Sequence, residues 1–148
     1  FAFPFKPGSD SKGRVRVDGV LYPFGYGLSY TTFEYSALKI SKPVIGPQEN
    51  MTLSCIVKNT GKRAGDEVVQ LYIRDDFSSV TTWYKVLRGF ERIHLQPGEE
   101  QTISFTLTPQ DLGLWDKNNQ FTVEPGSFSI MIGASSQDIR LKGSFEVQ

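Results

Sequence analysis

The 148-residue sequence predicts an all-β protein folded as a two-sheet antiparallel β-sandwich. Apolar and polar residues alternate with period two in several short stretches, and no stretch keeps a helical period over three turns. Turn signals separate these stretches, at Asn59-Thr60-Gly61, Pro97-Gly98 and Pro125-Gly126. Many short strands, each with one apolar face and closed by such turns, are typical of a sandwich.

The alternation locates the strands in chain order. The first covers residues 33–40, and its alternation slips between Ala37 and Leu38, which predicts a β-bulge. Further strands show the same alternation of an apolar and a polar face, and they cover residues 51–58, 69–74, 102–107, 128–132 and 139–147.

One short helical turn is expected directly after the strand at 102–107. Thr108 can cap it, Pro109 suits its first position, and Asp111 suits the positive end of its dipole. Trp115 closes this segment, and capped turns between strands commonly hold an aromatic side chain. We therefore expect Trp115 to pack in the core beneath the turn instead of forming an exposed platform for a sugar.

The charge balance argues against two classes of partner. The 16 basic and 16 acidic residues give a formal net charge of zero, so neither nucleic acid nor an anionic membrane surface is an expected partner. No run of residues is long and apolar enough to insert into a bilayer.

No metal or other cofactor is expected, because the ligating residue types are scarce. Cys55 is the only cysteine and alternates with apolar neighbours, so we expect it in the core. His94 is the only histidine and lies between Ile93 and Leu95, so we expect it on the outer face of a strand. Two such residues cannot supply the ligands of a zinc site, and neither calcium-loop spacing nor a phosphate-binding glycine loop is present.

The segment Pro23–Phe33 contains two glycines, four aromatic residues and no charge. Its glycines allow positive φ and close approach of a neighbouring surface, while its rings carry a large apolar area for so short a loop. A solvated linker does not have this composition. We therefore interpret residues 23–30, named here the junction segment, as a buried domain junction, with a ligand-contacting loop as the alternative. Phe24, Tyr26 and Tyr30 are its candidate interface residues.

The junction segment closely resembles the point in glycoside hydrolase family 3 where the catalytic part joins a C-terminal fibronectin type III-like domain. Four further motifs follow in that domain's order: Leu87-Arg88-Gly89-Phe90-Glu91-Arg92-Ile93 with Leu95-Gln96-Pro97-Gly98-Glu99, Asp111-Leu112-Gly113-Leu114-Trp115, Val123-Glu124-Pro125-Gly126-Ser127-Phe128, and Gly133-Ala134-Ser135-Ser136. The resemblance implies an immunoglobulin-like, fibronectin type III-like sandwich over residues 31–148. It also implies that residues 1–30 are the tail of a preceding α/β sandwich domain and a linker.

The resemblance further implies an accessory role without catalysis. Family members hydrolyse O-glycosidic bonds with retention, using a nucleophilic aspartate and an acid/base that belong to the preceding domains, and no segment here matches either motif. Retaining hydrolysis needs two carboxyl groups about 5–5.5 Å apart, and the only adjacent aspartates, Asp75 and Asp76, are expected in a solvated loop. The implied partners are the catalytic domains of the same polypeptide and their carbohydrate substrate, in the periplasm or outside the cell.

The segment from Asp75 to Tyr84 is the one loop longer than hairpin turns usually are. Trp83 and Tyr84 in this loop are candidate substrate-binding residues, although packing on the neighbouring domain is the favoured interpretation. If they stacked on sugars, the chain would be a carbohydrate-binding module. An adhesion or scaffold sandwich is the third alternative, and it leaves the uncharged junction segment unexplained.

Overall fold

The structure, a computed structural model, describes residues 22–148, and the predicted tail at residues 1–21 lies outside them. One sheet has three strands, β1 (Phe33–Ile40), β3 (Met51–Asn59) and β6 (Glu100–Leu107), with β3 in the centre. The other sheet has five strands, in spatial order β2 (Val44–Ile45), β10 (Ile139–Val147), β9 (Gly126–Gly133), β4 (Gly65–Asp75) and β5 (Val86–Leu95). The turn α1 (Pro109–Leu112) precedes a hairpin of β7 (Leu114–Trp115) and β8 (Phe121–Thr122).

The apolar faces of the two larger sheets form one core, which confirms the predicted sandwich. The three-stranded sheet contributes alternate residues of its strands, among them Met51, Leu53, Cys55, Val57, Ile103, Phe105 and Leu107. The five-stranded sheet contributes Val69, Leu71, Ile73, Ile93, Leu95, Phe128, Ile130, Ile132, Phe145 and Val147. The rings of Phe128 and Phe145 stack with centroids 5.3 Å apart.

Three local predictions are also confirmed. The register of β1 against β3 shifts between Ser36 and Lys39, where Ala37 has a φ of 52°. Gly98 has a φ of 80°, as a type II turn after a proline requires. In α1, the backbone N–H of Thr108 donates to the carboxylate of Asp111 at 2.8 Å, so the turn is capped as expected.

One strand pair departs from the antiparallel prediction, because β2 runs parallel to β10, with Val44 opposite Glu146. The strand β1 already runs in the direction of β10 across the sandwich, since Arg140 bonds Phe33 and Gly143 lies beside Ile40. Only three residues separate β1 from β2. The chain therefore crosses to the other sheet without reversing, and β2 keeps that direction.

The centre of the five-stranded sheet is covered on both faces. Gln70, Tyr72 and Met131 belong to its outer face, away from the core, and all three are buried. The alternation in β4 had predicted a polar, solvent-facing row at Gln70 and Tyr72. Gln70 is covered by the junction segment, whose Gly25 lies against it. Tyr72 bonds Gln70, and Nζ of Lys85 lies 5.8 Å from the centroid of its ring.

Candidate functional site

The junction segment is fastened to the outer face of the five-stranded sheet by backbone hydrogen bonds. The N–H of Tyr26 donates to the carbonyl of Pro23 at 3.0 Å, which closes a turn through Gly25, whose φ is 78°. The N–H of Ser136, in the β9–β10 connection, donates to the carbonyl of Phe24 at 2.8 Å. The segment therefore follows a defined path across the sheet.

Gln70 is the side chain that holds this path. Its Nε2 donates to the carbonyl of Gly25 at 2.9 Å and to the carbonyl of Ala134 at 2.7 Å, and its Oε1 accepts from the hydroxyl of Tyr72 at 2.5 Å. The amide is satisfied on both sides, so the burial of Gln70, which is only 4% exposed, does not leave a polar group unpaired. Burial also raises the pKa of Tyr72 to about 12, which keeps the phenol protonated as a donor.

Position 25 requires glycine for two reasons. Its positive φ is a conformation that side chains with a Cβ adopt at a cost. A Cβ at this position would also lie 2.0 Å from Oε1 of Gln70. The backbone thus approaches the sheet as closely as the sequence composition suggested.

The predicted interface residues remain on the surface of the chain. Phe24 and Tyr26 are each close to half exposed, and the Tyr26 ring packs at 5.1 Å from that of Tyr22. Tyr30 is 91% exposed and Leu28 is 87% exposed. These rings contribute little to the domain's own core, so their apolar area is available to another surface.

The apolar surface continues onto the sheet beside the junction segment. Phe90 is 69% exposed on β5, opposite Gln70, and Val68 is partly exposed on β4. A groove of about 570 Å³ lies between these strands and the segment, and Leu87 also lines it. Tyr26, Leu28, Val68 and Phe90 all line this groove. We name these four residues, together with the exposed Tyr30 of the same segment, the junction face.

The edge of the groove carries a partly buried ionic group. Nη2 of Arg140 donates to the carboxylate of Asp138 at 2.8 Å, and its guanidinium lies 5.0 Å from the ring centroid of Tyr35. Burial raises the pKa of Glu67, although Arg140 opposes this. Burial and the Glu67 carboxylate raise the pKa of Tyr35 well above its usual value. Ionised Glu67 is therefore disfavoured in the folded state.

The candidate sugar-binding residues Trp83 and Tyr84 lie in the β4–β5 connection, and both are exposed. The guanidinium of Arg74 lies 4.7 Å from the centroid of the Tyr84 ring, and Nζ of Lys85 lies 5.9 Å from it. Cations thus already occupy the neighbourhood of Tyr84. The structure brings the two rings to one loop, but no described contact joins them into a single platform.

The aspartate pair corrects the prediction of a solvated loop. Asp75 is the last residue of β4, where burial raises its pKa and its Oδ1 accepts from the N–H of Phe77 at 3.1 Å. Asp76 is partly buried and its Oδ2 accepts from Oγ of Ser129 at 2.9 Å. The sequence could not show this, because Ser129 comes from a strand more than fifty positions away. Asp76 thus links the end of β4 to β9, whereas Oδ2 of Asp75 is buried without a hydrogen-bond partner.

The prediction that Trp115 packs in the core is wrong. Trp115 pairs with Phe121 across the β7–β8 hairpin and is 63% exposed. The ring of Phe121 lies against Gly113, within 2.3 Å of where a Cβ would stand. Phe121 therefore takes the position against the turn, and Trp115 is left outside. The sequence signal for this hairpin was the polar run Asp116–Gln120 between Leu114-Trp115 and Phe121-Thr122.

Cys55 and His94 lie where the sequence predicted them, one in the core and the other on the surface of a strand. Cys55 is fully buried in the core, where burial raises the pKa of its thiol to about 11. His94 is exposed on β5, and its Nδ1 lies 2.6 Å from Oδ1 of Asp66. Within residues 22–148, no three His, Cys, Asp or Glu side chains form a group that could hold a metal ion. No helix in this range is long and apolar enough to cross a membrane.

Comparison with known proteins identifies the domain. Residues 67–136 match the family model for the fibronectin type III-like domain. The chain is 49% identical over 133 residues to a β-xylosidase of Formosa agariphila. The aligned region covers 88% of this chain and 18% of that relative. The chain is 41% identical over 148 residues to the periplasmic β-glucosidase of Salmonella typhimurium, covering 97% of the chain and 19% of the relative. The chain thus spans less than a fifth of the length of these relatives.

Solved structures agree with the sequence comparison. A β-glucosidase from Erythrobacter marinus superposes with a TM-score of 0.83 at 42% identity, covering 93% of this chain and 18% of that one. A β-glucosidase from Listeria innocua, solved in complex with glucose, superposes with a TM-score of 0.79 at 35% identity, covering 86% and 17%. The chain therefore belongs to the fibronectin type III-like domain family, and the relatives that share this domain with it are β-glucosidases and β-xylosidases.

Proposed function

We propose that the chain is a non-catalytic accessory domain that stabilises the catalytic domains of one longer glycoside hydrolase. That polypeptide hydrolyses the O-glycosidic bonds of β-glucosides or related sugars with retention of configuration. The proposal is supported by the relatives, which are β-glucosidases and β-xylosidases, and by the small share of their length that the chain spans. Asp76 supports it as well, because Ser129 donates to its carboxylate at the end of the sheet.

The junction face is the observation that carries the proposal. Tyr30, Leu28 and Phe90 are largely exposed, and fully burying one such side chain contributes about 1.5–3 kcal/mol. Covering the three therefore supplies roughly 4–9 kcal/mol of gross stabilisation, before the cost of ordering the partner surface is subtracted. A contiguous apolar patch of this kind marks an interaction site on a soluble protein.

The preceding catalytic domains are the partner that this face fits best. The chain enters the described part at Tyr22, whose ring packs on Tyr26 at the edge of the face. Residues 22–30 then act as a linker already fixed to the domain at residues 31–148. Because Gln70 holds the linker in place, contacts made by the linker also fix the orientation of the sandwich.

We place the protein in the periplasm or outside the cell. The periplasmic β-glucosidase of Salmonella typhimurium, which is 41% identical, supports this location. The carbohydrate-binding alternative through Trp83 and Tyr84 is less well supported, since Arg74 lies on the Tyr84 ring. The adhesion or scaffold alternative has no support among the glycosidases that the chain resembles.

The test compares the same substitutions in two contexts. Tyr30→Ala and Leu28→Ser are introduced into the 148-residue chain and into the full-length polypeptide, and thermal unfolding is followed in both. We expect the Tm of the isolated chain to stay nearly constant, because both side chains are exposed there. The Tm of the full-length polypeptide should fall by several degrees, whereas Trp115→Ala, at an exposed ring on the β7–β8 hairpin, should leave it unchanged. Equal effects in the two contexts would contradict the proposed interface.

A further inference from the structure

A second aromatic surface lies on the β7–β8 hairpin. Trp115 and Phe121 are directly opposite in the hairpin register, so their side chains point to the same face. Their ring centroids are 5.7 Å apart in an edge-on arrangement. Both rings keep a large exposed area, so the pair forms an apolar platform that the sandwich does not use for its own core.

A groove adjoins this platform and has no ionisable side chain in its lining. Phe121 forms one wall, and Pro47, Gln48, Pro109 and Gln110 lie along it together with threonine hydroxyls. Its volume of about 660 Å³ falls within the range of small-molecule sites. The groove thus combines apolar walls with neutral amide and hydroxyl groups, which both donate and accept hydrogen bonds.

The platform is held in a fixed geometry before any ligand arrives. Oδ1 of Asp116 accepts from the N–H groups of Asn118 and Gln120, each at 2.8 Å, and its own N–H donates to the carbonyl of Gln120 at 2.9 Å. The capped turn α1 anchors the other side through Thr108 and Asp111. A ligand therefore does not have to order this hairpin, which lowers the cost of binding.

The hairpin lies at the end of the sheets opposite the point where the linker is fastened. Ser136, which bonds the linker, follows the last residue of β9, whereas the segment carrying β7 and β8 leads into the first residue, Gly126. The part of the chain that is N-terminal to Tyr22 starts from the edge of the junction face. The preceding domains are therefore not the occupant that this geometry favours.

We propose that the Trp115–Phe121 platform and its neutral groove bind a neutral oligosaccharide. The C–H face of one pyranose ring stacks on Trp115, and hydroxyls of the next residues bond the amides of Gln48 and Gln110. A polyhydroxylated ring without charge matches this lining, and an acidic oligosaccharide lacks a cationic partner in it. The choice of β-linked glucose or xylose chains rests on the proposed function, while the site rests on its own geometry.

The test uses the fact that the chain has two tryptophans, Trp83 and Trp115. Trp83→Phe leaves Trp115 as the only indole reporter, and Trp115→Phe leaves Trp83. Each variant of the 148-residue chain is titrated with cellohexaose and with xylohexaose, and tryptophan emission is recorded. We expect a saturable change only in the variant that retains Trp115, and none with hexagalacturonate.

Calorimetric titrations then measure the contribution of the ring. Trp115→Ala should raise the dissociation constant for the bound hexasaccharide by roughly three- to tenfold, within the range of one lost aromatic contact. The matched control, Trp83→Ala, should change it by less than about twofold. Thermal unfolding checks that both variants fold, and Phe121→Leu provides a second substitution within the platform.

Two outcomes overturn the inference. The first is the absence of saturable binding of either hexasaccharide up to roughly 10 mM, a concentration that still detects millimolar affinity. The second is binding that is unchanged in Trp115→Ala or that is reported by Trp83 alone. Neither outcome bears on the accessory role, because that role is tested by Tyr30 and Leu28 on the junction face.

Discussion

Replacing Gly25 by alanine tests whether the linker is an integral part of the domain. The substitution forces a residue with a Cβ into a φ of 78°, which costs about 1–2 kcal/mol. It also pushes Oε1 of Gln70 away, because the new Cβ would lie 2.0 Å from it. Losing the hydrogen bonds of a buried amide costs a further ~1–3 kcal/mol, and the stiffer unfolded chain returns about 0.4–1 kcal/mol.

The net loss is therefore about 1–4.5 kcal/mol, provided that the linker and the sandwich unfold together. For a domain of this size, that loss corresponds to a fall in Tm of roughly 3–20 °C. The assay is thermal and urea-induced unfolding of the 148-residue chain, followed by circular dichroism, with m-values compared to confirm the same unfolding reaction.

Gly27→Ala is the matched control. A Cβ at Gly27 has no heavy atom within 4 Å, and its φ lies outside the left-handed region. We expect a change within about 0.5 kcal/mol for this variant. Equal stability of the two variants would refute the reasoning, since it would mean that residues 22–26 detach without cost to the sandwich.

Three further predictions concern single groups. Glu67→Gln should raise the free energy of unfolding at pH 7, because burial raises the folded-state pKa of Glu67 and so disfavours its charged form. By linkage this gain in stability should vanish below about pH 4, where the carboxyl is protonated in both the folded and the unfolded state. A gain that is independent of pH would contradict the prediction. The thiol of Cys55 should react with iodoacetamide at pH 8 only at the rate of unfolding, because it has a pKa of about 11 and no exposure. Labelling as fast as that of a free thiol would show that the core is open. The chain alone should not hydrolyse aryl β-glucosides or β-xylosides; turnover lost on substituting one Asp or Glu would overturn the accessory assignment.

Local patterns were enough to predict the sandwich. The alternation of apolar residues depends only on the geometry of a strand with one buried face, and it located β1, β3, β6, β9 and β10. The bulge at Ala37 and the capped turn after Leu107 were predictable for the same reason, because each is decided within a few residues of sequence. The parallel pairing of β2 was not, since it depends on the direction of β10, a hundred residues later.

The site was predictable only in part. The composition of the junction segment indicated close packing, and Gly25 does lie against the sheet. The role of Gln70 could not be seen, because its partner, the carbonyl of Gly25, is 45 positions away in sequence. For Trp115 the error had a different cause. The local argument placed one aromatic beneath the turn, and Phe121, from the opposite side of the hairpin, takes that place.

Hydroxyl-radical footprinting of aromatic and aliphatic side chains is the most direct test of the accessory role. It measures the solvent exposure of Tyr30, Leu28 and Phe90 in the 148-residue chain and in the full-length polypeptide. If the catalytic domains cover the junction face, these three side chains should react much more slowly in the full-length polypeptide. Trp115, which is 63% exposed on the β7–β8 hairpin, should react equally in both. Equal reactivity of Tyr30 and Phe90 in the two contexts would contradict the account.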